Sequence, residues 1–202
     1  MNNQYYIIRH GHSWRNKKNI ASCWPETILY PLTGKGKKQA SEAAKKLKKK
    51  KIDLIFTSDL LRTKQTAGII GKAIGVRIKP DKRLREINVG IFNNQQTDEI
   101  GRFWDKERKF SPFKYYQRRF KLTPPKGESY VDAEKRLADF IKEMEKRYED
   151  KNILIVSHQR PLTLLEKVAY NYGLRKFVKV IIENKEIKTG EIRKLSCKKY
   201  GF

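Results

Sequence analysis

Three histidines, His10, His12 and His158, are the only imidazoles in a chain of 202 residues, and each follows closely on a short apolar run. Tyr5, Tyr6, Ile7 and Ile8 lead into Arg9, His10, Gly11, His12 and Ser13, while Ile153, Leu154, Ile155 and Val156 lead into Ser157 and His158. Such runs read as buried strands, and open α/β sheets build their sites outside the carboxyl ends of strands. A third corner is Ser58, Asp59, Leu60, Leu61, Arg62, placed so that Arg62 rises from the first turn of a helix whose amino end favours anions. Two guanidinium groups, two imidazoles and a helix terminus at one point describe a receptor for a phosphoryl group, because the planar arginine fork matches its oxygens. Ser13 and Asn16 bring small hydrogen-bonding groups into the first loop, and Gly11 lets the backbone approach a ligand closely. A histidine must be neutral to attack, and nearby cations disfavour its protonated form, so the arginines that hold a phosphate also keep His10 nucleophilic.

The elements that must position these groups follow from periodicity. Strand-like runs at Tyr5–Ile8, Ile52–Thr57 and Asn152–Ser157 alternate with helical patterns, which predicts βαβ units and a mainly parallel sheet. A helix starts behind Thr33 with Ala40, Ala43, Ala44 and Leu47 as its apolar stripe. A second follows Ser58, with Leu60, Leu61, Ala67, Ile70 and Ala73 as packing residues. A third follows Ser129, where Asp132 completes a capping box and Val131, Leu137, Phe140, Ile141 and Met144 supply the buried face. A fourth takes Pro161 into its first turn and runs through Leu164, Leu165 and Val168 to a stop at Gly173. Val178–Ile182 and Glu191–Leu195 alternate well enough to predict a terminal hairpin. Between Val89 and Lys126 the pattern dissolves into a mixture of aromatic residues (Phe92, Phe103, Trp104, Phe110, Phe113, Tyr115, Tyr116, Phe120) with Arg108, Lys109, Arg118 and Arg119. This is read as a lid-like insertion at about residues 91–126 on a single domain spanning 1–202.

Composition bounds the rest. With 38% hydrophobic and 34% charged residues the chain reads as globular, and no stretch approaches the roughly 20 apolar residues that cross a bilayer, so a cytoplasmic protein without membrane contact is expected. Cys23 and Cys197 have no partner at metal-ligand spacing and read as two reduced thiols; no metal is expected. The 47 Lys plus Arg against 22 Asp plus Glu give +25, which attracts any polyanion at low salt. The lysines are spread along the whole chain, including Lys45, Lys46 and Lys48 to Lys51 on one solvated helix face, so no specific nucleic-acid recognition is expected.

At RHGHSWRN (Arg9 to Asn16), PLTGKGKKQA (Pro31 to Ala40), SDLLRTKQTA (Ser58 to Ala67), LREINVG (Leu84 to Gly90), GES (Gly127 to Ser129) and VSH (Val156 to His158), the chain resembles the histidine phosphatase superfamily, also called the phosphoglycerate mutase-like family. The resemblance implies a three-layer α/β/α sandwich and a phosphohistidine mechanism without metal or other cofactor. By it His10 attacks phosphorus, Arg9, Arg62 and His158 hold the equatorial oxygens, Asn16 adds a hydrogen bond, and Glu86 protonates the leaving oxygen and then takes a proton from water. Gln159, Arg160 and Pro161 stand where the family usually has glycines, and Gln159 keeps its backbone donor for phosphate; His12 stands where the family often has Glu or Gln, leaving its role open.

The expected function is a phosphatase acting on a small phosphorylated metabolite, as a monomer or homodimer. Ile87, Asn88 and Val89 replace the Arg, His and Tyr that resembling mutases carry after the catalytic Glu, which argues for hydrolysis. Arg118, Arg119, Pro124 and Pro125 match the mutase insertion and keep a 2,3-bisphosphoglycerate-dependent phosphoglycerate mutase as the rival; the cations at Arg118 and Arg119 point to a substrate with more than one anionic group. From another class comes a non-catalytic module that binds a phosphorylated ligand or RNA, against which the joint presence of His10 and Glu86 weighs, since binding alone needs neither nucleophile nor proton donor.

Overall fold

A computed structural model of the chain describes residues 2–108 and 111–195, without the side chains of 104–108 and 112. Five strands, β1 (Gln4–Arg9), β2 (Leu54–Thr57), β3 (Ile78–Pro80), β4 (Asn152–Ser157) and β5 (Ile192–Leu195), form one sheet in the order β3-β2-β4-β1-β5. All pairings are parallel except that of β5 with β1. The eight α-helices of the described residues are α1 (Trp14–Lys17), α2 (Gly34–Lys48), α3 (Leu61–Ile74), α4 (Thr97–Arg108), α5 (Pro112–Lys121), α6 (Tyr130–Arg147), α7 (Gln159–Tyr170) and α8 (Leu174–Ile182).

Successive side chains of a strand point to opposite faces, so the apolar runs of β1 and β4 feed two cores. Tyr6, Ile8, Leu154 and Val156 pack against Ala43, Ala44 and Leu47 of α2 and Ala67 and Ile70 of α3. Tyr5, Ile7, Ile153 and Ile155 pack against Leu137, Phe140 and Ile141 of α6, Leu162 and Leu165 of α7, and Phe177 of α8. The architecture is therefore the three-layer α/β/α sandwich with a mainly parallel central sheet. Two helix starts are set by the side chains expected from the sequence. Thr33 accepts from the Gly36 N–H, and Ser129 with Asp132 closes a capping box; a cap of this kind contributes about 1 kcal/mol.

Several expectations are corrected. Val178–Ile182 lies in α8 and not in a hairpin strand: Phe177, Val178 and Ile181 are its buried residues, a spacing of one and three that fits one helical face. Only the second half of the expected hairpin is a strand, β5, and its partner is β1. The short β3 has no apolar run to announce it, because Lys79 and Pro80 at the sheet edge are exposed. Val131 and Ala73 face solvent, and α7 ends at Asn171 in the left-handed region, two residues before Gly173, which begins α8. The stretch read as patternless holds α4 and α5. There Phe120 is buried beside Phe177 at 5.5 Å and Tyr130 at 6.1 Å, so α5 is docked on the main core by an aromatic cluster while its other side stays wet. Lys109, Phe110 and Cys197 lie outside the described residues. Among the described residues no helix is long and apolar enough to cross a membrane.

Candidate active site

Parallel pairing of β1 with β4 puts Arg9 directly opposite Ser157, so the next residues, His10 and His158, leave adjacent strands side by side. The His10 N–H extends the ladder by donating to the Ser157 carbonyl at 3.0 Å. The two imidazoles stand 5.3 Å apart between centroids and 63° between planes, close to the 4.7–4.9 Å separation of neighbouring strands. Gly11 then turns the chain where α2 arrives: a Cβ there would collide with the Gly36 carbonyl, and one on Gly36 with the His12 carbonyl. Only paired glycines allow that approach.

The His10 tautomer follows from its partners. Nδ1 lies 2.8 Å from the Gly11 carbonyl oxygen, which can only accept, so Nδ1 carries the proton. Nε2 therefore holds the lone pair and accepts from Arg62 Nε at 3.3 Å. Burial, Arg62 and Arg9 hold the His10 pKa well below its usual value, and burial, Arg62 and His10 do the same to His158. Both rings are fully buried. The linkage has a definite sign. Below pH 6.5 the unfolded chain takes up protons that the folded rings refuse, so stability falls as pH drops below 6.5. Urea midpoints between pH 6.5 and 5 should fall less steeply for His10→Asn than for the wild type; equal slopes would remove His10 from this account.

Arg62, from the first turn of α3, is fully buried, with Nη2 donating to the Ser22 carbonyl at 2.9 Å and Nη1 to Ser22 Oγ at 3.3 Å; Glu26 lies 3.7 Å away. Arg9 donates through Nη1 to the Ile187 carbonyl at 3.3 Å, and its buried Nε has no partner. Burial brings both guanidinium pKa values down to about 10, leaving both charged at neutral pH. Asn16 accepts from the Ser13 N–H and hydroxyl through Oδ1, which leaves its amide NH₂ as the outward donor. Ser13 is thus fully buried behind Asn16. His158 Nε2 meets Ser58 Oγ at 2.9 Å, while its Nδ1 has no hydrogen-bond partner and lies 4.0 Å from Glu86 Oε2.

Glu86 sits on a loop pinned from three sides. Arg85 pairs with Asp59 at 2.5 Å, Ser157 Oγ donates to the Leu84 carbonyl at 2.7 Å, and Arg136 of α6 donates to the Arg85 carbonyl at 2.9 Å while pairing with Glu128 at 2.8 Å. Glu128 also accepts from the Asn88 N–H at 2.9 Å, which gives the GES segment its structural task. Gln159 opens α7, so its N–H lies among those that a helix leaves free, and its side chain donates to Glu186 at 3.2 Å. His12 is bound to Thr33 at 3.0 Å and serves the α2 cap.

A cavity of about 320 Å³ lies over this cup, with Ser22, Glu86 and Gln159 at the junction. Arg119 lines it and Arg118, one residue earlier, is exposed and outside the wall. Arg15 and Arg160 line it as well. Arg15 was not singled out from the sequence, where it reads as one cation among many; only its place on α1 between Ser13 and Asn16 could have marked it.

A region of 98 residues is 39% identical to the probable phosphoglycerate mutase GpmB of Escherichia fergusonii, covering 48% of this chain and 44% of that protein. The chain thus spans less than half the length of the curated relatives it matches. Among solved structures, a mycobacterial glucosyl-3-phosphoglycerate phosphatase superposes with a TM-score of 0.80 at 22% identity, over 96% of this chain and 92% of that one. The α-ribazole phosphatase of Shigella flexneri gives 0.77 at 21% identity, over 95% and 89%. Bacillus stearothermophilus YhfR gives 0.74 at 27% identity, over 87% and 83%. The model of the histidine phosphatase superfamily (branch 1) matches residues 5–198, and the chain belongs to that superfamily.

Proposed function

We propose that the protein is a metal-independent phosphomonoesterase that releases phosphate from a small phosphorylated metabolite through a phosphohistidine at His10. The observation that carries this reading is the His10 ring itself: neutral, fixed by the Gly11 carbonyl, with its Nε2 lone pair beside Arg62. In the first step Nε2 attacks phosphorus and the bond to the leaving oxygen breaks, with Glu86 giving that oxygen its proton. In the second, water attacks the phosphohistidine, Glu86 takes the water proton, and inorganic phosphate departs with Nε2 restored as a lone pair. Arg9, Arg62, Asn16, the Gln159 N–H and His158 Nδ1 are the donors for the phosphoryl oxygens, whose charge must be stabilised in the transition state. Ser13 acts through Asn16. The α4–α5 segment is read as a lid-like insertion on one catalytic domain.

Hydrolysis is favoured over return of the phosphoryl group to an acid hydroxyl because Ile87 and Val89 bring apolar side chains where mutases of this kind carry polar ones. The test is a panel of phosphorylated metabolites in chelator, with and without 2,3-bisphosphoglycerate, scored for free phosphate and for isomerised product. Free phosphate and an acid-labile phosphoryl adduct on the protein are expected. Isomerisation that outpaces phosphate release would make the protein a mutase, and no turnover with binding retained would make it a phospho-ligand module.

A further inference from the structure

Three arginines from separate elements line the cavity above the cup: Arg15 of α1, Arg119 of α5 and Arg160 of α7. Two of them are held in place. Arg160 is ion-paired with Glu186, a buried carboxylate that also accepts from Thr163 Oγ1 and Gln159 Nε2, each at 3.2 Å, and its guanidinium lies 5.8 Å from the Tyr116 ring. Arg119 lies 5.2 Å from the Tyr130 ring.

Arg15 differs. Its Nε donates to the Ile20 carbonyl at 2.6 Å, and among the described residues no carboxylate comes within ion-pair distance of its guanidinium. Burial lowers the Arg15 pKa and the Glu86 carboxylate offsets this only from a distance, so an anion arriving through the cavity within pairing reach of the guanidinium is favoured. Arg15 lines the cavity, whereas Arg9, Arg62, His10 and His158 are not among its lining residues, yet it is near enough to push the pKa values of all four down, so it stands where the cup opens into the cavity. Thr97, Asp98 and Gly101 of α4 line the same cavity.

We infer that the substrate carries a second acidic group besides its phosphoryl group, bound in the outer cavity by Arg15 with Arg160 and Arg119 as supporting donors. This rests on the cup being the phosphoryl site. A cavity of about 320 Å³ suits a metabolite of a few carbons. The shared chemistry is an oxyanion in guanidinium reach, which a carboxylate or a second phosphate supplies equally.

Two matched pairs separate these sources: phosphoglycerate against glycerol phosphate, which differ by a carboxylate, and fructose bisphosphate against fructose monophosphate, which differ by a phosphate. The wild type should prefer the more acidic member of at least one pair by tenfold or more in kcat/KM. Arg15→Gln should reduce kcat/KM for that member by about ten- to a hundredfold more than for its partner, and Arg15→Lys should recover part of the difference. Losses that are equal across a pair, or a wild type without preference in either, would overturn the inference while leaving the phosphatase reading intact. If no substrate gives His10-dependent phosphate release, that reading fails instead. Calorimetric titration of the same four compounds into wild-type and Arg15→Gln protein then decides the inference by the same ratio.

Discussion

Replacing His10 with alanine should lower kcat by roughly 10⁴-fold or more, because loss of a nucleophile removes the covalent route and leaves only binding and positioning behind. The cup itself should survive. Arg9, Arg62 and His158 keep their anchors at Ile187, Ser22 and Ser58, none of which passes through the His10 ring. Inorganic phosphate should therefore still bind the variant in a calorimetric titration, and no acid-labile phosphoryl adduct should form on it. Activity within tenfold of wild type would remove His10 from the reaction. Loss of phosphate binding together with activity would assign the ring to the architecture of the cup instead.

Arg62→Ala should be the most damaging change at this site for stability and catalysis together. The side chain is fully buried, and its removal leaves the Ser22 carbonyl without its donor and the Glu26 carboxylate without its nearest cation. Breaking a buried ion pair from one side costs about 3–5 kcal/mol, and deleting one oxyanion donor lowers the rate by about 10²–10³-fold. Urea denaturation and kcat/KM measured on the same preparation read both effects. Arg62→Lys should recover part of the stability through its charge but little of the rate, since an ammonium cannot span both Ser22 and the phosphoryl group. A stability loss under about 1 kcal/mol in the alanine variant would contradict the burial and pairing described here.

The parts of the molecule that could be read from sequence are those where one physical constraint acts alone. Strands covered on both faces must be apolar throughout, so β1, β2 and β4 announce themselves, and the histidines at their ends follow. Thr33 and Ser129 mark helix starts because a free N–H needs an acceptor. Reading failed where two demands meet in one segment. In α8, Phe177, Val178 and Ile181 belong to a helical face, yet the stretch from Val178 to Ile182 also satisfies a strand-like alternation. In α5, Phe120 serves the core and Arg119 the cavity from neighbouring positions, so neither a helical nor a strand period stands out. Three of the cup's four main groups, Arg9, His10 and His158, were legible because strand ends deliver them, and Arg62 because it opens the helix after β2. Glu26, Arg136 and Glu186 were not, since each owes its role to residues far along the chain, and Arg15 was not because nothing local sets it apart from the other cations.

The spacing between His10 and His158 has its origin in the hydrogen-bonded ladder of β1 and β4, not in any side chain around them. Mutational drift at the mouth can therefore replace arginines, tyrosines and the whole α4–α5 segment without altering the spacing of the two imidazoles. New substrates can be acquired by changing the doorway alone, while the gap between the two rings is inherited as a constant of the main chain.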